Sequence, residues 1–271
     1  MLLAMAAELD YLGHLATESA RFAEALLTTE PDTRVPSCPD WDADQLLWHL
    51  TEVQWFWGAI ARQRLTDPET VGALDIGVPP SDRRARFAFY DRVSRDLVDL
   101  LTTTAPQTAV WTWSDDHSVG FIRRRQAHEA LIHRVDAELA AGARTPMPTA
   151  LCGDGVDEVL RVMYGGAPSW GEFTPEAAHT IRFRTTDTDQ TWVATLGRFA
   201  GVDPESGDDV DEPDRRVADA DDGAAVAATI TGAAVDLNCW LWSRPTFEPL
   251  DRTGDAAVLA QFDVTIARGI N

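Results

Sequence analysis

Lysine is absent from this chain, so all 23 basic residues are arginine. No side-chain amine is present to form a Schiff base with a carbonyl substrate, which excludes that route of covalent catalysis. Positive charge is scarce overall. Against 44 acidic residues the arginines leave a formal charge of -21, which argues against nucleic acid and anionic membrane as partners, because phosphate binding needs clustered cations. Cysteine is sparse too: Cys38, Cys152 and Cys239 are odd in number and far apart. They form neither a disulfide framework nor the close thiolate pairs of zinc and redox motifs, and a reducing cytoplasm suits them best. Long apolar runs are also missing, with nothing approaching the roughly 20 residues of a membrane span. The apolar start of the chain is interrupted by Glu8, Asp10 and His14 and lacks a basic leader, so it reads as part of a helix and not as a secretion signal.

What remains is the composition of a globular protein, 45% hydrophobic and 25% charged, long enough at about 150 residues per domain for two cores. The first half predicts four helices. Residues 2–28 space Leu9, Leu12, Leu15, Phe22 and Leu26 helically before a proline-rich stop. A second helix opens on Asp42 and Gln45, a variant capping box, and runs to about Arg64. Residues 82–103 and 120–141 supply the third and fourth, the latter ending at Gly142. No strand is predicted before residue 146. The second half mixes a helix at 154–164, strands at 180–185, 191–196 and 224–231, and helices at 233–243 and 255–267. Residues 203–222, crowded with carboxylates and broken by Pro204 and Pro213, read as a solvated loop. The expected architecture is thus a helical bundle over 1–145 followed by a small α+β domain over 146–271.

The chemistry concentrates in His128-Glu129-Ala130-Leu131-Ile132-His133. On a helix Glu129 and His133 stand about 40° apart and one turn along, so both can reach one ion. His128 is about 140° from His133 and becomes a neighbour, read as a catalytic group that supports the ligands from behind or shuttles a proton, the alternative being a side chain that faces water. The third ligand has to come from another helix. His49 lies within the apolar run Leu46-Leu47-Trp48-His49-Leu50, where a buried imidazole needs a partner and a metal ion between facing bundle helices supplies one. Two imidazoles and one carboxylate suit zinc, with iron, manganese or nickel as alternatives, and three protein ligands leave the open position of a catalytic site. Arg123, Arg124 and Arg125 read either as a solvated helix face or as a site for an acidic substrate or for sugar hydroxyls. Cys38 reads as a packing residue in a turn, or as a thiol activated by the following helix. Trp41, Trp48, Trp55 and Trp57 gather around the second helix as core or pocket wall.

The stretches Val35-Pro36-Ser37-Cys38-Pro39-Asp40-Trp41 through Trp48-His49-Leu50, and Arg124-Arg125-Gln126-Ala127-His128-Glu129 through His133-Arg134, together resemble the mycothiol-dependent maleylpyruvate isomerase family. That resemblance implies a DinB-like metal-binding four-helix bundle followed by a smaller α/β domain that ends in a tryptophan-rich helix, here Asp236-Leu237-Asn238-Cys239-Trp240-Leu241-Trp242-Ser243-Arg244. It places the family's metal ligands on His49, Glu129 and His133, the set that helical geometry selects. It also implies a substrate-carboxylate role for Arg244, although the family's Gly-Arg ending is Ser243-Arg244 in this chain.

Mycothiol, a cysteine-bearing pseudodisaccharide, is the implied cofactor, its thiol activated by the ion. The expected partners are this thiol and a small electrophile, with no nucleic acid and no membrane. The implied reaction is cis-trans isomerisation of a maleylpyruvate-like substrate. A mycothiol S-transferase is the alternative enzyme, and a non-catalytic metal-binding or sensing module the alternative outside catalysis.

Overall fold

The computed structural model describes residues 9–164, 170–204, 206–219 and 225–267, and the chain divides into two compact units, Met1–Pro146 and Met147–Asn271. The expected first helix therefore falls partly outside the described residues, as does the start of the strand expected at 224–231.

The first unit is built on four long helices, α1 (Tyr11–Leu27), α2 (Ala43–Gln63), α4 (Arg83–Thr103) and α5 (Val119–Ala140), with a short α3 (Pro68–Gly72) between α2 and α4. Their starts follow from local chemistry. Asp10, Asp42, Asp82 and Ser118 each accept a hydrogen bond from a backbone amide of the first turn. At α2 the box is reciprocal: Asp42 Oδ1 accepts from the Gln45 amide at 2.8 Å, and Gln45 Oε1 accepts from the Asp42 amide at 2.9 Å. Helix α5 packs against α1 and α2, and α4 against the same two, so the helices close a ring around one core. Phe22, Leu26, Leu46, Leu47, Leu50 and Tyr90 fill part of it. Among the described residues no helix is long and apolar enough to cross a membrane.

Two strands precede α2, where none was expected. Strands β1 (Arg34–Val35) and β2 (Cys38–Asp42) form an antiparallel hairpin around Pro36 and Ser37. Two prolines in so short a segment hide the strand signal, since proline cannot donate to a ladder.

The second unit opens with α6 (Thr149–Glu158), continues in one wide helical turn (Val159–Met163) and then builds a five-stranded sheet. Its strands are β3 (Gly171–Thr185), β4 (Thr191–Val202), β5 (Asp209–Asp219), β6 (Ala228–Gly232) and β7 (Asp251–Gly254), in the order β5-β4-β3-β6-β7. All neighbours are antiparallel except β3 and β6. Helix α8 (Ala256–Ala267) packs on β3, β6 and β7, with Phe262 against Phe183 at 5.0 Å between ring centres, and α7 (Ala234–Leu241) packs on α6.

The acidic stretch expected to be a loop contains β5. Its backbone pairs with β4 along the strand, Glu212 is exposed, and Asp211 meets Arg198, whose Nη2 lies 2.8 Å from Asp211 Oδ1. Pro213 is tolerated because β5 is an edge strand, and the charge keeps that edge from pairing with another chain.

Candidate metal centre

Helix α5 is buried on nearly every side, yet its buried residues include Arg125, Gln126, His128, His133, Arg134, Asp136 and Glu138. A helix buried all round is ordinarily apolar, and buried polar groups persist where they are partnered. The partners explain the sequence.

On the side of α5 that meets α2, one ligand atom from each of His49, Glu129 and His133 lies within 4.8 Å of the others. His49 Nε2 is 3.6 Å and His133 Nε2 3.1 Å from Glu129 Oε1. Donors held at about 2.1 Å in a tetrahedral shell stand roughly 3.4 Å apart, so the residue types and the two separations to Glu129 suit a divalent ion such as zinc. Side-chain exposures of 30% for His49 and 16% for Glu129 leave the cluster reachable, whereas His133 is buried.

Glu129 and His133 are each oriented from behind. Arg125, only 3% exposed, donates from Nη2 to Glu129 Oε2 at 2.8 Å, which turns the other carboxylate oxygen toward the imidazoles. Neither reading of the arginine run holds for it: Arg125 is a buried partner of Glu129. Arg123 donates to the carbonyls of Leu101 and Thr104, at the end of α4. His133 Nδ1 lies 2.9 Å from Asp136 Oδ2, the carboxylate-histidine support common behind metal ligands. Asp136 is fully buried and also accepts from Ser37 Oγ at 2.5 Å and from Cys38 Sγ at 3.8 Å. The β1-β2 hairpin is therefore the prop of the site, and Cys38 is part of it. Sequence reasoning missed Asp136, although its position three residues after His133, on the same helical face, was a usable signal.

The electrostatics follow from this arrangement. Burial pushes the Glu129 carboxyl up, but the Arg125 guanidinium and hydrogen bonds from His133 and His49 outweigh it and hold the group well below the carboxylate range. Burial pulls His133 down, yet Asp136 and Glu129 on its two nitrogens raise it from an ordinary 6.5 to about 9. A proton on His133 thus balances part of the charge of the two carboxylates that face it.

His128 is not one of the three converging residues; its ring is buried and meets Tyr11 of α1 edge-on at 6.3 Å. Arg244 lies in the second unit, where its Nη1 donates to the Trp242 carbonyl at 2.6 Å and its charge is felt by Tyr164. The backbone there accounts for the Ser243 departure. Ser243 takes the left-handed conformation, φ 58°, while its amide bonds Trp240 O and the Arg244 amide bonds Cys239 O, the two links of a Schellman motif. Gly142 closes α5 in the same way with φ 69°. Serine therefore occupies a position whose geometry favours glycine, and Arg244 is held at the motif's end.

Trp41 of β2 covers His49, ring centres 4.4 Å apart, and both line a cavity of about 480 Å³ beside α2.

Comparisons with known proteins agree with this picture. Residues 12–138 match the mycothiol maleylpyruvate isomerase N-terminal domain, and residues 150–261 match the MDMPI C-terminal domain. Among solved structures, the crystal structure of a point mutant of mycothiol-dependent maleylpyruvate isomerase is similar, with a TM-score of 0.56 over 91% of this chain and 93% of that one, at 11% identity. No curated protein sequence gives a significant match. With two consecutive family domains spanning most of its length, the chain belongs to the mycothiol-dependent maleylpyruvate isomerase family.

Proposed function

We propose that the protein is a metal-dependent isomerase that uses mycothiol to convert a maleylpyruvate-like cis substrate to its trans isomer. The observation that carries the reading is the convergence of His49, Glu129 and His133 with Asp136 fixed behind them, in a chain of this family. Bound by those three residues, a divalent ion would lower the pKa of a cofactor thiol and keep it as thiolate at neutral pH.

The residues of the chain do the positioning. His49 and His133 would hold the ion through Nε2, and Asp136 fixes the His133 tautomer by accepting a hydrogen bond from its Nδ1–H. Arg125 neutralises Glu129 and orients it. Trp41 packs on the His49 ring and limits its orientation, ring centres 4.4 Å apart. Arg244 is assigned to the substrate carboxylate, which its planar fork suits. While the thiol is attached the conjugated double bond has become a single bond free to rotate, and its departure restores the double bond in the trans form.

The test is direct. Zinc-loaded protein with mycothiol should isomerise maleylpyruvate, with neither chelated protein nor thiol-free reactions turning over. Equal turnover after chelation would remove the metal from the account.

A further inference from the structure

We infer that the cavity beside α2 is the seat of the sugar body of the thiol cofactor, a polyhydroxylated neutral group, and that the dicarboxylate substrate is excluded from it. The inference rests on mycothiol being the thiol. The cavity holds about 480 Å³ and has His49 in its wall, so a ligand lying there can extend a thiol to the candidate metal centre. Its volume is that of an ordinary small-molecule site.

The wall chemistry selects the ligand. Trp41 and Trp48 line the cavity, and each indole is braced by another ring, Trp41 by His49 and Trp48 by Phe89 at 6.1 Å. Braced indoles offer flat faces to the C-H side of a sugar ring. Not every carboxylate in the wall is available. Asp42 caps α2, and Asp44 is held by Arg83 and Arg86, both at 2.8 Å. Asp32 and Glu52 remain, with no hydrogen-bond or ion-pair partner among the described residues. They are acceptors for hydroxyl donors. The basic group in the wall, Arg86, is already occupied by Asp44 and by the Pro80 carbonyl at 2.6 Å. Two free carboxylates and no free cation repel a dianion and accept a polyol.

The experiment uses full-length protein and three probes. In metal-free protein the thiol-free pseudodisaccharide should quench tryptophan fluorescence saturably, and maleate should not displace it. Trp48→Ala should weaken this binding about tenfold, and Glu52→Gln, which keeps the shape of the wall, about threefold. In cobalt-loaded protein both cysteine and mycothiol should produce a thiolate-to-metal absorption band, with mycothiol effective at lower concentration in the wild type and losing that advantage in Trp48→Ala. Failure of both thiols to give the band would sink the metal-thiolate reading, while sugar binding would still stand on fluorescence. Absence of pseudodisaccharide binding, displacement by maleate, or wild-type affinity in both variants would overturn the cavity assignment.

Discussion

On the side of α5 that meets α1, Arg134 lies 2.8 Å from Glu18 and 3.0 Å from Glu138, with Arg21 completing the group. Thr145 binds Glu138 through both its amide and its hydroxyl. Two arginines face two glutamates and every charge is answered within the chain. On the side that meets α2, Glu129 and Asp136 face Arg125 and the imidazoles of His49 and His133. That balance closes only with an extra proton or an added cation. Both clusters are buried polar groups on one helix, and only the second has a place for a ligand. Burial of charge alone is therefore no sign of a site; unbalanced negative charge, converging donors and access to solvent are.

Breaking the closed cluster should have the largest effect on stability. Arg134→Met strips buried Glu18 of its 2.8 Å partner and leaves Arg21 as the one cation facing both glutamates, which should cost about 3–5 kcal/mol. Urea unfolding would measure the loss, and metal content of the folded protein should be unchanged. Breaking the open cluster should do the reverse. Asp136→Asn takes the negative charge off the acceptor that fixes His133 and should weaken zinc binding about 10- to 100-fold in a chelator competition, with a smaller change in stability of the metal-free protein.

The same contrast should appear in pH dependence. His133 is raised from 6.5 to about 9, so the stability it contributes to metal-free protein is complete below about pH 6.5 and is lost as pH climbs through about 9. Zinc must displace that proton, so its affinity should rise over the same interval. Thermal melts with and without zinc should diverge from pH 6.5 to 9, and His133→Ala should abolish the divergence. Glu129 acts at the other end: its depressed pKa contributes stability above the ordinary 4.5 that is lost as pH falls through the folded value.

Much of this was legible in the sequence. The four helices follow from apolar spacing and caps, and Glu129 with His133 from a one-turn separation. What was not legible depends on partners distant in sequence. Arg125 looks like one residue of a charged run until Glu129 is seen beside it, and Asp136 looks like a surface acid until the hairpin brings Ser37 to it at 2.5 Å. That hairpin was hidden by its prolines, and β5 by its carboxylates, because an edge strand needs only one hydrogen-bonded side and can leave its charges in water.

The smallest expected effect concerns the two Schellman ends. If Ser243 bears the strain that Gly142 avoids, Ser243→Gly should stabilise the protein by less than about 1 kcal/mol, since the hydroxyl's contact with the Ile266 carbonyl at 3.2 Å is lost. An unchanged or lowered melting temperature would show that the hydroxyl contact outweighs the strain.

The central claim, that His49, Glu129 and His133 hold one divalent ion, is tested most directly by elemental analysis of protein purified without chelator. The account expects about one divalent ion per chain in the wild type and in Arg134→Met, and loss of tight binding in His49→Ala and His133→Ala. A wild-type protein that cannot be loaded with metal, or full retention by His133→Ala, would contradict it.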